Sequence, residues 1–454
     1  MSILRSLNRE QREAIGLLQI GTFLEYFDFM LYVHMAVLLN EIFFPKSDLH
    51  TTALLTAFAF CSTYVLRPFG ALFFGWIGDN IGRKTTVIIT TTMMSLSCVV
   101  MATLPTYAQI GISAAWIVTI CRLVQGMSSM GEIMGAMVYV TEITRPPVQY
   151  PAVAFIGIAS AVGGVAALGV ATLVTRNGFD WRIAFWVGAT IAVIGSVART
   201  RLRETPEFVD MKRRLQKNID ESKSGSKKQE NHSHELSQWI AASKTEKINR
   251  KTLVSCFLIQ CGWPLTFYLT FMYFNPILKI QCGYSAEDII LHNFFLSLIL
   301  LFVGLFWARL SYKVHPLRII KGKASIFIFL ILCLPFILTK TTTQYQIFLL
   351  QALLLIASLA EAPACSVFIA AMPVFRRFTA TSFIYALSRA LVYIVTSLGL
   401  VYLTESFSHF GLWIITFPLC VGFLWSVNHF EVLEGLRPDK PTPIKEEAVL
   451  GKAA

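Results

Sequence analysis

The stretch GWIGDNIGRK, Gly75 to Lys84, constrains this chain more than any other. It is a short charged hairpin wedged between two apolar runs, roughly 53–74 and 85–104. The first run is broken by one charge, Arg67, and the second by none. A hydrocarbon layer about 30 Å thick takes about 20 apolar residues of helix to cross. Both runs therefore read as membrane spans, and the hairpin as the tight polar turn between them. Gly75, Gly78 and Gly82 let two helix ends approach closely. Asp79, Arg83 and Lys84 put charge where the turn meets water.

The same reading extends along the chain. Twelve apolar runs are centred near Phe27, Thr63, Ser95, Gln125, Gly164, Thr190, Thr266, Ser297, Leu330, Ala357, Leu391 and Pro418. With 55% hydrophobic and 15% charged residues, against about 45–50% and 25% in soluble domains, the chain cannot hide its apolar surface in one globular core. The expected solvent is lipid, and every span is expected to be helical, because lipid offers no partner to an open strand edge. A polar stretch, 201–251, separates six runs from six. The expected organisation is an N-terminal bundle (1–200), a linker (201–251), a C-terminal bundle (252–431) and a tail (432–454).

Net charge is +12, but the cations cluster in particular loops, which fits membrane orientation better than nucleic-acid binding. One set of loops holds Arg5, Arg9 and Arg12, then Arg83 and Lys84, Arg145, the linker, Lys313 to Lys323, Arg376 and Arg377, and the tail. The alternate set is poorer: Lys46, Arg176, Arg182, Lys279 and Lys340. The rich set is expected to be cytoplasmic, with both termini inside, as an even number of spans requires. The first apolar run is too long and too charged for a cleavable signal. The nine cysteines are scattered without metal-type spacing, and His232 and His234 read as solvated loop, so neither metal nor cofactor is expected.

Four segments carry a family resemblance. GTFLEYFDFMLY (Gly21 to Tyr32), LRPFGALFFGWIGDNIGRK, RLVQGMSSMGEIMGA (Arg122 to Ala136) and DWRIAFWVGATIAVIGSVARTRLRETPEF (Asp180 to Phe208) resemble, in order and spacing, helices 1, 2, 4 and 6 of the metabolite:proton symporters. That family belongs to the major facilitator superfamily and includes proline/betaine, dicarboxylate, citrate and shikimate carriers. The resemblance implies an all-α membrane protein of twelve transmembrane helices in two six-helix bundles around a central site. It also implies a bacterial inner-membrane location and alternating access. By the same resemblance, Gly75, Asp79, Gly82, Arg83 and Lys84 form a conformational gate, with Asp79 capping a helix that begins near Thr379 to Ser382. The second half departs from the pattern. Its copy of the charged turn, Gly304 to Lys313, has Ala308 and Ser311 where an acid and a glycine are expected, and Asn80 departs in the first copy. Met372 to Ala390 still resembles the helix 10–11 turn.

Ionisable residues inside the runs carry the chemistry. Glu25, Asp28, Arg67, Arg122, Glu132, Glu361 and Arg389 would each cost about 2.5–3.5 kcal/mol at mid-membrane, so they should face a wet cavity or one another. Glu25 and Asp28, three apart, share a helix face. Two close carboxylates disfavour double ionisation, which suits proton coupling; the alternative is that Glu25 pairs permanently with Arg67 or Arg122. Arg122-x-x-Gln125-Gly126 looks like a second superfamily motif tied to proton coupling. Gln125 and Glu132 are expected two turns apart on one stripe, with Glu132 binding ligand or proton, or serving as a buried hydrogen-bonded acid. Arg67 either binds a substrate carboxylate or orients its span through a salt bridge. Tyr26, Trp263, Tyr268, Tyr385, Arg389 and Glu361 complete the candidate substrate site. The aromatics there either cage a quaternary amine or only pack, and Glu361 precedes Pro363, an expected helix break.

The resulting expectation is a monomeric secondary active transporter importing a small polar organic solute with a proton. The solute would be a zwitterion such as proline or betaine, or a carboxylate. The partners are solute, proton and bilayer, with no nucleic acid. An exporter or antiporter on the same fold, or a non-transporting sensor or scaffold, are the alternatives. No phosphate-binding loop of the G-x-x-x-x-G-K-[ST] type occurs, and no nucleophile–base pair is visible, so neither ATP hydrolysis nor enzymatic chemistry is expected.

Overall fold

The computed structural model describes residues 7, 9–44, 54–55, 57–58, 60, 63–80, 83–129, 132–176, 178–200, 249–340, 343–373 and 377–437. The expected linker (but for residues 249–251) and the expected tail beyond 437 lie outside the described residues. So does Gly82, and of Gly75, Asp79, Arg83, Lys84 and Glu132 only the backbone is described. The proposed gate and the cap on the eleventh span therefore fall there too.

The first half comprises α1 (Arg9–Phe43), α2 (Arg67–Asn80), α3 (Arg83–Thr103), α4 (Ile112–Ser128), α5 (Glu132–Ile143), α6 (Gln149–Arg176) and α7 (Arg182–Thr200). The second half comprises α8 (Arg250–Gln260), α9 (Gly262–Phe267), a π-helical turn at Tyr268–Tyr273 and α10 (Phe274–Gln281). It continues through α11 (Ala286–Leu310), α12 (Pro316–Lys340), α13 (Gln344–Ile356), α14 (Cys365–Ala370), α15 (Arg377–Phe407) and α16 (Leu412–Leu433). Grouped by apolar run, α4 and α5 belong to one rod, and α8 to α10 and α13 with α14 each make one broken rod. The elements thus follow the twelve runs read from the sequence, with no strand among the described residues.

The solvent is legible from what lies outside and what lies inside. Phe69, Leu72, Leu96, Trp116, Phe302 and Phe329 are all half or more exposed, while Glu25, Asp28, Arg67, Arg122, Lys323, Glu361 and Arg389 are buried. A soluble protein shows the reverse arrangement. Helices such as Gln149–Arg176, Ala286–Leu310 and Pro316–Lys340 are long and apolar enough to cross a bilayer. The chain is a multi-pass membrane protein.

The seventh and tenth rods are broken, and each break is met by partners from the other rod. In the seventh, Gly262 lies so close to Leu359 that a Cβ would collide with the Leu359 carbonyl. The Thr270 carbonyl in the π-helical turn accepts from Gln351 Nε2 at 2.7 Å, and Gln351 is in turn bonded to His292 at 2.8 Å. In the tenth, the helix stops at Ile356 and resumes at Cys365, around the expected break at Pro363. Its Leu359 N–H donates to Thr266 Oγ1 at 3.1 Å. Irregular backbone at membrane depth is tolerated only with such partners. In the fourth, α4 ends at Ser128 and α5 starts at Glu132. Residues 130 and 131, between the two, lie outside the described residues.

Close approach also fixes the first half. A Cβ on Gly126 would overlap the Thr63 carbonyl, because α4 crosses the second span there, whereas Gly16 has nothing within 4 Å. Gly126→Ala is therefore expected to destabilise by about 2 kcal/mol, the scale of overpacking. Gly16→Ala in α1 is expected to be neutral or slightly stabilising. Thermal unfolding of the purified variants checks the pair, and equal melting temperatures would contradict the close crossing.

Candidate substrate cavity

Between the halves lies a cavity of about 1260 Å³, its mouth included. The first half supplies Tyr26, Met30 and His34 from α1 and a small-residue face of α6 that includes Gly157, Ala161 and Gly164. The second half supplies Trp263, Phe267 and Phe271 from the broken seventh rod, Trp307 from α11, Lys323 from α12, Glu361 from the irregular stretch, and Tyr385 and Arg389 from α15. Mostly apolar walls with a few convergent polar groups are the usual constitution of a small-molecule site.

Arg389 organises the second-half wall. Its Nη1 donates to Gln260 Oε1 at 3.1 Å and to the Tyr385 carbonyl at 3.3 Å, and its Nη2 donates to Glu361 Oε1 at 3.5 Å. Its guanidinium lies 3.3 Å from the centroid of the Tyr385 ring. The four-residue spacing of Tyr385 and Arg389 on α15 makes that stacking possible. Tyr385 then reaches across to the first half: its hydroxyl and that of Tyr26 share a hydrogen bond of 2.8 Å. Above the cavity wall, His34 meets Phe267 and Phe271 at centroid distances of 6.3 and 5.9 Å.

Behind the Tyr26–Tyr385 pair is a small compartment lined by Glu25, Tyr26, Phe29, Arg67, Ser129 and Tyr385. Arg67 lies against two ring faces there, 4.3 Å from the Phe29 centroid and 4.4 Å from that of Tyr64. The two tyrosines line both spaces, so their hydrogen bond lies between the Glu25–Arg67 cluster and the main cavity.

The other residues singled out in the sequence are placed elsewhere. Asp28 lines neither space. One of its oxygens lies beside Gly188 of α7, so the two acids three apart on α1 do not enter one cavity. Arg122 is fully buried, donates to Gln125 Oε1 at 2.9 Å and lies 4.1 Å over the Tyr32 ring. Gln125 turns its amide to Cys98 and Met101 of α3, inside the first bundle. Tyr268 packs edge-on against Phe60 at 5.7 Å and is not part of the cavity lining. Trp263, Glu361, Tyr385, Arg389 and Tyr26 are brought together. Glu132 opens α5 one residue before Ile133, which lines the cavity.

Lys323, Trp307 and His34 are among the lining residues that sequence reasoning does not place in the site. Lys323 was counted with the loop cations, but α12 begins at Pro316 and the side chain is buried at 4% exposure. The signal was present in the spacing: Lys323 shares a stripe with the buried Ile320, Phe327 and Ile331. His34 was not singled out, because one histidine within an apolar run carries no distinctive spacing.

Ion pairs join the halves at both ends. Lys279 pairs with Glu41, and Arg176 with Asp288, at the end where α1 and α6 finish. Arg377 pairs with Glu142 at 3.0 Å at the opposite end. Two helical bundles closed on a central cavity that holds a few buried charges, clasped at each end, define a membrane carrier. The family model described as Major Facilitator Superfamily matches residues 18–400, and the chain belongs to that superfamily of transporters. It is 29% identical over 299 residues to the "Proline/betaine transporter" of Salmonella typhimurium, covering 64% of this chain and 58% of that protein. It is 28% identical over 329 residues to the "Glycine betaine/proline/ectoine/pipecolic acid transporter OusA" of Dickeya dadantii, covering 70% and 63%. The chain thus spans about three-fifths of the length of these curated relatives. Among solved structures, the proton:xylose symporter XylE superposes with a TM-score of 0.70 at 17% identity, covering 94% of this chain and 96% of that one.

Removing one partner of a buried ion pair costs about 3–5 kcal/mol because the other charge is stranded. Glu361→Ala should therefore destabilise strongly, and Glu361→Ala with Arg389→Leu should recover most of the loss. A four-point thermal-unfolding cycle reads this directly. Additive losses would show that the two side chains do not interact. A parallel cycle on Tyr26→Phe and Tyr385→Phe should give a coupling of about 1 kcal/mol.

Proposed function

We propose that the protein is a proton-coupled symporter that imports a small polar organic solute by alternating access. The observation that carries the reading is the partition of charge. Glu25 and Arg67 share a small compartment, while Glu361, Arg389 and Lys323 face the main cavity, with the Tyr26–Tyr385 bond between. Protonating Glu25 cancels its attraction for Arg67. Because Tyr26 is the neighbouring residue on α1, that change is felt at the bond joining the halves. Charge state in one compartment thereby biases how firmly the other is closed.

Rocking of one bundle against the other exchanges the end clasps. Lys279–Glu41 and Arg176–Asp288 break when one end opens, and Arg377–Glu142 breaks when the other does. The lysine and arginine excess supports a cytoplasmic position for the Arg377–Glu142 end. Gly75, Asp79, Gly82, Arg83 and Lys84 form the turn that steadies one closed state, and Arg122 and Glu132 complete the proton path. Relatives named for proline and betaine transport support a zwitterion or a carboxylate as solute.

Uptake into energised vesicles is expected to collapse when a protonophore is added, and undiminished accumulation would refute proton coupling. Outward solute movement driven by an inward proton gradient in everted vesicles would instead assign an exporter. Glu25→Gln is expected to abolish concentrative uptake while retaining solute exchange down its gradient. Wild-type accumulation by that variant would remove Glu25 from the mechanism.

A further inference from the structure

We infer that Lys323 and Trp307 form a subsite for the carboxylate of the transported solute. The inference rests on the reading of the central cavity as the solute site. Lys323 lies seven residues beyond the start of α12, about 10 Å along the helix axis, and its side chain is 4% exposed. It does not extend back to the helix end as membrane-flanking lysines do. Its Nζ lies 5.9 Å from the Trp307 ring centroid, and both residues line the cavity. Lys323 makes no hydrogen bond or ion pair with any described residue, and the Trp307 indole N–H is buried without a partner. The ammonium lies over the face of the indole, and the cavity wall thus carries two donors, one of them charged, that have no acceptor among the described residues.

The other cation of the main cavity is already engaged. Arg389 gives its donors to Gln260, to the Tyr385 carbonyl and to Glu361, and its face to the Tyr385 ring. Arg67, for which a substrate carboxylate and an orienting salt bridge are both open on the sequence alone, does not line the main cavity and lies against Phe29 and Tyr64. Glu361 acts on Lys323 electrostatically but lies beyond ion-pair distance, and its Oε1 accepts from Arg389. The cavity therefore presents two cations and one acid among the described residues, and a solute carboxylate restores the balance. A carboxylate oxygen accepts from the ammonium and its twin from the indole N–H, both charge-assisted bonds in a low-dielectric site. Trp263, Phe267 and Phe271 offer apolar surface for the rest of the molecule. An organic anion and a zwitterion both carry the group that this subsite recognises.

The test is equilibrium binding to the full-length protein in lipid nanodiscs, with each acid set beside its carboxamide. The pairs are benzoate and benzamide, 3-hydroxybutyrate and its amide, proline and prolinamide, and glycine betaine and betaine amide. At least one acid is expected to bind, with its carboxamide weaker by about tenfold or more, the scale of one charge-assisted hydrogen bond. Whether that acid comes from the first two pairs or the last two distinguishes an anion carrier from a zwitterion carrier. Lys323→Gln should bring the acid down to the level of its amide, Lys323→Arg should recover part of the loss, and Trp307→Phe should weaken the acid several-fold. The inference is overturned if no acid binds, if acid and amide bind equally, or if Lys323→Gln and Trp307→Phe both bind the acid as the wild type does. Lys323-dependent binding without gradient-driven uptake would sink the symport reading and leave the subsite. Proton-driven uptake that ignores Lys323→Gln would do the converse.

Discussion

An ionised side chain in hydrocarbon is costly, and this chain places several at the depth of its longest apolar helices. Glu25, Asp28, Arg67, Arg122, Lys323, Glu361 and Arg389 are all buried within the protein, while phenylalanine and leucine cover the outside. Insertion scales put the cost of each such group at about 2.5–3.5 kcal/mol if it faced lipid. Enclosing them between two bundles removes that cost and creates a polar interior at the same time. The fold and the site are in this sense consequences of one constraint.

The same enclosure explains where the helices break. An unbroken helix satisfies its own backbone and offers only side chains to a cavity. The seventh and tenth rods instead interrupt themselves where they border it, at Gly262 to Tyr273 and at Ala357 to Ala364. Each freed backbone group named here is met from the neighbouring rod: Gln351 takes the Thr270 carbonyl, and Thr266 takes the Leu359 N–H. The two breaks therefore support one another, and the irregular stretch delivers Glu361 within 3.5 Å of Arg389. Interrupted helices facing each other at mid-membrane suit a site that must rearrange as the halves rock.

Much of this was legible before any coordinates. The apolar runs announced the spans, since hydrophobic length is a direct reading of bilayer thickness. Pro363 announced the break beside Glu361, because proline removes a backbone donor. What the sequence left open needed crossing geometry. Glu25 and Asp28 differ in what lies opposite them: one faces Arg67 and Ser129, the other Gly188, and that is set by how α1 crosses its neighbours. Lys323 was assigned to a loop by counting cations near a turn, although the periodicity of α12 already placed it among Ile320, Phe327 and Ile331.

The most direct test of a wet chamber enclosed by two halves is the reactivity of single cysteines in a cysteine-free background, in lipid vesicles, toward a small charged thiol reagent. Gly157→Cys and Met30→Cys line the cavity, whereas Phe302→Cys and Phe329→Cys lie on the outer face. The account predicts rapid modification at 157 and 30 and almost none at 302 and 329. Unreactive cavity positions beside reactive outer ones would contradict it.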